Sequence, residues 1–136
     1  MNLFAYGTLM CAEIMEEVAG CRPVFCQGTL KDYCRRALRG EHYPAIVPLD
    51  GDRVPGVLYL DLSAAAWERL DRFEGEMYLR RPVQIEVDQG GLQPAETYVL
   101  HPDFGDRLTA DPWDFDRFLK TGKAIFQQGY KGYHAL

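Results

Sequence analysis

Strand-like segments fill most of the first hundred residues, and they constrain the fold more than any other feature of the sequence. They occur at residues 2–6, 24–38, 54–60, 78–87 and 95–100. The clearest segment places Val83, Ile85 and Val87 on one face, with polar residues between them. Asp50-Gly51-Asp52 and Gln89-Gly90-Gly91 are turn signals between segments. Because helices are few, the pattern predicts an α+β fold built on a mixed or antiparallel, barrel-like β-sheet with a few packed helices.

Glycine and proline predict irregularities within these segments. Gly28 indicates a bulge or bend in the long segment 24–38. The stretch Tyr43–Pro48 carries a proline near each end, which favours a short edge strand or an ordered loop. Gly56 lies in the apolar segment 54–60 and permits close backbone approach there, so we expect that segment to be a central strand.

Three stretches have helical patterns. Residues 10–18 place apolar side chains at helical spacing and end before Gly20. Ser63 is the expected N-cap of the clearest helix, which ends at Gly75. From about residue 112 the chain becomes aromatic and helical in pattern. We expect this last portion to pack back on the sheet and its final half-dozen residues to fray.

Length and charge limit the classes of partner. The chain has 136 residues, of which 47% are hydrophobic, so we expect one domain over residues 1–136 with one core. Fifteen basic and twenty acidic residues, with no basic block, argue against nucleic-acid or anionic-membrane binding and favour a small neutral or zwitterionic partner. No apolar run approaches a membrane span, and the early Glu13, Glu16 and Glu17 do not fit a secretion signal. We therefore expect a cytoplasmic protein.

The cysteines are bunched in the first quarter of the chain, at Cys11, Cys21, Cys26 and Cys34. We expect reduced, mostly buried thiols, because a domain of this size folds without a disulfide framework. No CxxC spacing and no helical histidine pair is present, so the sequence predicts no metal site. Cys34 precedes Arg35 and Arg36, which could activate it as a nucleophile, although a strand cysteine is the plainer interpretation.

Glu74 is the carboxylate whose position most favours chemistry. It lies where the helix that begins at Ser63 ends, so the negative end of the helix dipole disfavours its charged form. The neighbouring Phe73, Met77 and Tyr78 add desolvation in the same direction. The sequence therefore predicts a raised pKa, which suits a group that takes and returns a proton near neutral pH. The competing interpretation is an exposed acid at a helix end.

The second candidate is the loop Tyr6-Gly7-Thr8-Leu9, directly after the first strand. A glycine at a strand exit lets the backbone turn tightly, and it allows consecutive N–H groups to face one point. Such a loop can bind an anion or a carbonyl oxygen, or it can simply be a turn.

Other catalytic arrangements have less support in the sequence. Asp71 and Glu76 lack apolar neighbours on both sides, and nothing fixes the carboxylate separation that a two-carboxylate hydrolase needs. A serine triad has only Ser63 available, and that residue is the expected N-cap of a helix.

Several stretches together carry a resemblance to a known family. They are Tyr6-Gly7-Thr8-Leu9, Tyr43-Pro44-Ala45-Ile46-Val47, Val54-Pro55-Gly56-Val57-Leu58-Tyr59, and Leu70-Asp71-Arg72-Phe73-Glu74-Gly75 followed by Tyr78-Leu79-Arg80. In these motifs and their order, over roughly residues 2 to 100, the chain resembles the gamma-glutamylcyclotransferase-like family, which includes the AIG2-like proteins. The last third is less diagnostic.

The resemblance implies a small barrel-like domain with one pocket between the Tyr-Gly-Thr-Leu loop and the end of the acidic helix. It implies Glu74 as the catalytic residue and Tyr6, Gly7, Thr8, Leu9 and Tyr78 as substrate-binding residues. The implied reaction is a transferase- or lyase-type intramolecular aminolysis that converts a γ-glutamyl amine or γ-glutamyl amino acid to 5-oxoproline, with no metal or cofactor. We expect the amine side of the pocket to involve residues 39–43 and the C-terminal helices.

Two other functions remain open at this point. One is a catalytically silent module that binds a small molecule in the same pocket. The other is a cysteine-dependent enzyme that uses Cys34.

Overall fold

Five strands form a closed barrel at the centre of the protein, whose computed structural model describes all 136 residues. The strands are β1 (Leu3–Ala5), β2 (Phe25–Ala37), β3 (Pro44–Tyr59), β4 (Tyr78–Val87) and β5 (Leu92–Leu100). Their order around the barrel is β1-β3-β2-β4-β5. All neighbours are antiparallel except β1 and β5, whose parallel contact joins Leu3 to Glu96. The predicted α+β fold with a mixed, barrel-like sheet is confirmed.

The helices pack on one side of this barrel. They are α1 (Ala12–Ala19), α2 (Ala64–Glu74), α3 (Phe115–Arg117) and α4 (Lys123–Gly129), with a π-helical segment, Phe118–Gly122, joining the last two. Shorter 3₁₀ turns occur at Thr8–Met10, Gly75–Met77, Pro102–Arg107 and Lys131–Ala135. The Ser63 hydroxyl accepts a hydrogen bond from the N–H of Ala66 at 3.2 Å, so the predicted N-cap of α2 is confirmed. No helix combines the length and the apolar character needed to cross a bilayer.

The period-two geometry of β1 divides the core into two parts. Phe4 points into the barrel, where it packs with Leu58 and Ile85. Leu3 and Ala5 point the other way, into a larger cluster between the barrel and the helices. A three-residue strand therefore connects both halves of the core, and its last residue leads directly into the loop that begins at Tyr6.

The predicted bend at Gly28 is wrong, because the irregularity of β2 lies at Asp32. The pairing register of β2 with β3 shifts between Lys31 and Tyr33, and Asp32 has a positive φ of 64°. Gly28 instead lies where β2 pairs with both β3 and β4. A Cβ added at Gly28 would lie 2.6 Å from Cγ2 of Ile85, so close packing explains the glycine.

The predicted edge strand at 43–48 is not separate, because it continues into the central strand 54–60 as β3. The turn signal at Asp50-Gly51-Asp52 lies inside this element, where Gly51 has a φ of 86°. The Gly51 N–H donates a hydrogen bond of 2.9 Å to Oδ1 of Asp32. The bulge of β2 therefore holds the turn within β3 in place. The segments of β3 before and after that turn both stay paired with β2.

The C-terminal residues pack against the helices, and the fraying of the last half-dozen residues stays a prediction. Residues Lys131–Ala135 form a 3₁₀ turn in which Gly132 is buried. The rings of Tyr133 and Phe73 pack edge to face with their centroids 5.2 Å apart. A glycine at position 132 permits this arrangement, because the backbone there lies directly against the carbonyl oxygen of Phe73.

Candidate active site

A narrow cavity lies between the mouth of the barrel, the end of α2 and the C-terminal helices. It is lined by Leu3, Phe4, Ala5, Tyr6, Gly7, Thr8, Leu9, Tyr43, Pro44, Phe73, Glu74, Tyr78, Tyr98, Phe126 and Tyr130. All six site residues predicted from the sequence are in this set. The loop Tyr6-Gly7-Thr8-Leu9 and Glu74, which are far apart in the chain, therefore line one pocket, although their chemical roles remain predictions.

Glu74 is the last residue of α2, and Gly75 ends the helix with a positive φ of 73°. Desolvation by burial, and secondly the negative charge of Asp71, raise the pKa of the Glu74 carboxyl to about 8. No hydrogen-bond donor of the protein opposes this shift. The direction predicted from the sequence is confirmed, but the sequence argument missed the contribution of Asp71. A carboxyl in this state can act as either an acid or a base near neutral pH.

The loop after β1 brings backbone amides to the same cavity. Gly7 precedes the 3₁₀ turn Thr8–Met10, and the first N–H groups of such a turn have no acceptor within it. In particular, the N–H of Gly7 has no acceptor anywhere in the protein. A Cβ added at Gly7 would lie 2.9 Å from the ring of Pro44, so close packing requires glycine here. The loop can therefore offer free donors to a bound ligand.

Five tyrosines line the cavity, and three of them, Tyr6, Tyr78 and Tyr130, donate their hydroxyl protons to backbone carbonyls. The Tyr78 hydroxyl donates to the carbonyl of Pro44 at 2.7 Å, and the Tyr130 hydroxyl donates to that of Phe73 at 2.9 Å. The Tyr6 hydroxyl donates in the same way, to the carbonyl of Tyr98. Burial raises the pKa of Tyr6 and Tyr78 well above the usual value, so both remain neutral phenols. Their oxygen atoms can still accept hydrogen bonds.

Several lining residues were not predicted as site residues from the sequence, among them Tyr43, Tyr98, Phe126 and Tyr130. Tyr43 and the two C-terminal residues do come from the stretches expected to form the amine side. The rings of Tyr43 and Tyr130 lie 5.1 Å apart, and those of Phe126 and Tyr130 are stacked at 4.8 Å. Strand alternation could have assigned Tyr98 to a buried face, but nothing in the sequence connects it to Glu74.

The competing candidates lie outside this cavity. Cys34 is buried on β2, where it pairs with Val47, and all four cysteines are free. Two of them, Cys11 and Cys34, are buried, while Cys21 is exposed. Asp71 is exposed and accepts a 2.7 Å hydrogen bond from the Tyr98 hydroxyl. No cluster of three or more histidine, cysteine, aspartate or glutamate side chains could hold a metal ion.

Comparison with known proteins identifies the family. Residues 3–115 match the family described as "Gamma-glutamyl cyclotransferase, AIG2-like". The chain belongs to this AIG2-like gamma-glutamyl cyclotransferase family. It is similar to AIG2-like protein D of Arabidopsis thaliana, with 28% identity over 95% of this chain and 83% of that protein.

Solved structures agree with membership of the AIG2-like family. The solution structure of another Arabidopsis thaliana protein has a TM-score of 0.73 and 26% identity, covering 93% of this chain and 77% of that one. A structure named gamma-glutamyl cyclotransferase has a TM-score of 0.66 over 74% of this chain and 66% of that one. At 20% identity, this second likeness concerns the fold. The family match ends at residue 115, yet residues beyond it supply Phe126 and Tyr130 to the cavity.

Proposed function

We propose that the protein is a γ-glutamylcyclotransferase. It converts the glutamyl part of a γ-glutamyl amine or γ-glutamyl amino acid to 5-oxoproline and releases the free amine. The observation that carries this proposal is the Glu74 carboxyl with a pKa of about 8, which lines the same cavity as the loop with free amide donors. Membership of the AIG2-like gamma-glutamyl cyclotransferase family supports the same reaction.

The reaction suits a site with one carboxyl group. The α-amine of a γ-glutamyl compound lies within reach of its own γ-carbonyl carbon, so the site needs to fix a folded conformation rather than bind a second substrate. Glu74 in its carboxylate form takes one proton from the α-ammonium, and the amine then attacks the γ-carbonyl carbon. The attacking nitrogen loses a second proton to water as the ring forms, and Glu74 gives its proton to the leaving nitrogen as the bond to the leaving amine breaks and the tetrahedral intermediate collapses. Glu74 is therefore regenerated at the end of each cycle.

The loop Tyr6-Gly7-Thr8-Leu9 has the complementary task. As the amine attacks, negative charge develops on the γ-carbonyl oxygen, and a backbone N–H placed there stabilises it. Removing one such donor costs about 3 kcal/mol in well-studied enzymes. The free N–H of Gly7 suits this role best. The phenol oxygens of Tyr6 and Tyr78, whose protons are already committed, suit the acceptance of hydrogen bonds from the α-ammonium.

The amine side of the substrate faces Tyr43, Phe126 and Tyr130 in this proposal. Tyr43, Tyr130 and Glu74 also line a neighbouring open cleft that contains charged residues. The leaving amine would depart through that cleft.

The test compares Glu74→Gln with Glu76→Gln, an exposed control two residues away. We expect wild type to release 5-oxoproline from at least one member of a panel of γ-glutamyl amines and amino acids. Glu74→Gln should reduce kcat by roughly 100- to 10,000-fold, as expected for the loss of a general acid and base. The control should retain wild-type kcat. Wild-type activity should also rise as the pH approaches 8, because the carboxylate form of Glu74 then increases.

Two results would contradict this assignment. Activity that survives Glu74→Gln would remove Glu74 from the reaction. Binding of 5-oxoproline in calorimetry, without turnover of any panel member by wild type, would favour the silent binding module instead.

A further inference from the structure

Arg35 is a partly buried cation that the proposed reaction does not yet use. It lies on β2, and its Nη1 donates to the carbonyl oxygen of Tyr6 at 2.8 Å and to that of Pro55 at 3.3 Å. Its Cζ lies over the ring of Trp113, 5.5 Å from the centroid. It forms no ion pair within 4 Å, since none of the salt bridges includes it. Burial lowers the pKa of Arg35, and the charge of Asp114, which lies beyond ion-pair distance, offsets this effect only in part, so the partly buried guanidinium requires an explanation.

The contact with Tyr6 fixes one particular peptide unit. The chain has no cis peptide bonds, so the N–H of Gly7 points away from the Tyr6 carbonyl that Arg35 binds. That N–H has no acceptor in the protein, and Gly7 lines the cavity. The carbonyl oxygen of the Tyr6–Gly7 peptide therefore contacts Arg35, and the N–H of the same peptide, which points the opposite way, is a free donor.

The flexibility of Gly7 explains why the Tyr6–Gly7 peptide needs the hydrogen bond from Arg35. Glycine is required there because a Cβ would lie 2.9 Å from the Pro44 ring. Glycine also leaves the backbone unusually free to rotate, so that the peptide before it could turn its N–H out of the cavity. A charge-assisted hydrogen bond to the Tyr6 carbonyl opposes that rotation, and it polarises the peptide so that its N–H becomes a stronger donor.

We propose that Arg35 is a positioning residue that holds and polarises the Tyr6–Gly7 peptide, so that the Gly7 N–H stabilises the oxyanion of the tetrahedral intermediate. This inference rests on the proposed cyclotransferase reaction. Arg35 itself does not touch the substrate, and its effect belongs to the transition state. Its loss should therefore reduce kcat much more than it changes KM.

The test uses Arg35→Met, which keeps the length of the side chain but removes its charge and donors. The matched control is Arg36→Met on the next residue of β2, whose guanidinium donates to the carbonyl of Ala110 instead. We expect Arg35→Met to reduce kcat by roughly 10- to 100-fold with KM changed less than about threefold, since a polarised donor is weakened rather than removed. Arg36→Met should keep wild-type values. Equal kcat in the two variants would overturn the proposal and leave the cyclotransferase reaction standing.

A second measurement does not depend on turnover. The backbone amide resonance of Gly7 is followed by NMR while 5-oxoproline is added to each protein. We expect a concentration-dependent shift in wild type and Arg36→Met, and a much smaller one in Arg35→Met at equal saturation. If wild type binds 5-oxoproline but turns over no γ-glutamyl compound, the proposed function fails, and this shift still tests separately whether Arg35 fixes the Tyr6–Gly7 peptide. A Gly7 amide shift as large in Arg35→Met as in wild type would overturn the proposed role of Arg35.

If Arg35→Met does not fold, Arg35→Gln and Arg35→Lys are compared with each other. Lysine retains the cation, so it should partly rescue kcat, and we expect the glutamine variant to be at least about fivefold slower at similar thermal stability. Equal kcat in these two variants would contradict a role for the charge of Arg35.

Discussion

At the scale of single residues, two carboxylates three positions apart on α2 have different environments. Glu74 lines the cavity without a hydrogen-bond donor, and its pKa is raised to about 8. Asp71 is exposed, accepts a hydrogen bond from Tyr98 and lies 3.7 Å from the guanidinium of Arg80. The difference in burial therefore gives the two carboxylates different roles. Glu74 can exchange protons near neutral pH, whereas the charge of Asp71 acts on Glu74.

Asp71→Asn should lower the pKa of Glu74. The substitution removes a negative charge that disfavours the Glu74 carboxylate, while the new amide oxygen can still accept the hydrogen bond from Tyr98. The pKa should remain above the usual value, because desolvation is the larger cause. The side-chain carboxyl carbon of Glu74, followed by NMR during a pH titration, measures the change. Glu76→Gln is the control, and an unchanged titration of Glu74 in Asp71→Asn would contradict the prediction.

Glu74 should also make stability depend on pH. Its pKa is about 8 in the folded protein and near the usual 4.5 in the unfolded chain, so the folded state holds one more proton between those values. The stability that this proton contributes is complete below pH 4.5 and is lost as the pH rises through 8. Glu74→Gln abolishes the loss, so the variant should be more stable than wild type by about 2 kcal/mol at pH 8.5, allowing for partial exposure.

Urea unfolding of wild type and Glu74→Gln at pH 5 and pH 8.5 measures this difference. The gain of the variant should be small at the lower pH and larger at the higher one. A gain that does not change with pH would show that Glu74 is not protonated in the folded protein.

At the scale of elements, the C-terminal segment from α3 onward is held mainly by aromatic packing. The exposed pairs Lys123 with Glu13 and Gln127 with Glu17 connect α4 to α1, but exposed pairs contribute little. Phe126 is buried and packs on Phe73, with the ring centroids 6.1 Å apart. The segment is therefore attached to the residue that precedes Glu74, and its position should affect the cavity.

Gly132→Ala should loosen this attachment. A Cβ at position 132 would collide with the carbonyl of Phe73 and the ring of Tyr130, so the last 3₁₀ turn must move. We expect the free energy of unfolding to fall by about 1–3 kcal/mol, which is typical of overpacking, and KM to rise. Gly129→Ala is the control: nothing lies within 4 Å of its added Cβ, and it ends α4, so its stability should be unchanged or slightly higher. Equal effects of the two substitutions on urea unfolding would contradict this role.

At the scale of the whole molecule, closure of the barrel places the loop that begins at Tyr6. The three residues of β1 pair with β3 on one side, and Leu3 pairs with Glu96 of β5 on the other. At Gly56 the backbone of β3 lies directly against the carbonyl of Ala5 and the ring of Phe4. The site and the barrel therefore depend on the same close contact.

Gly56→Ala should destabilise the barrel and weaken the site together. An added Cβ would lie 2.7 Å from the Phe4 ring and closer still to the Ala5 carbonyl, so β1 must shift. We expect the free energy of unfolding to fall by about 2–4 kcal/mol and 5-oxoproline binding to weaken. Gly105→Ala, with nothing within 4 Å of its added Cβ, should change neither. Chemical denaturation and calorimetry test both effects, and wild-type binding by Gly56→Ala would contradict the coupling.

The sequence by itself determined the local features of this protein. Period-two patterns located the strands, Ser63 and Gly75 marked the ends of α2, and apolar neighbours indicated the direction of the Glu74 pKa shift. These features depend on residues close together in the chain, which is why they could be read from it. Motifs at Gly7 and Glu74 further indicated the family, and the family match over residues 3–115 confirmed it.

Only the tertiary structure decided which distant residues meet. The bulge at Asp32, which anchors the turn at Gly51, depends on pairing between two strands, and a single strand pattern cannot reveal it. The packing of Tyr130 beside Glu74, and of Arg35 on the carbonyl of Tyr6, joins residues far apart in the chain. Bringing together residues so far apart in the chain costs conformational entropy, and only burial of the complete core offsets that cost. These contacts therefore follow from the whole fold.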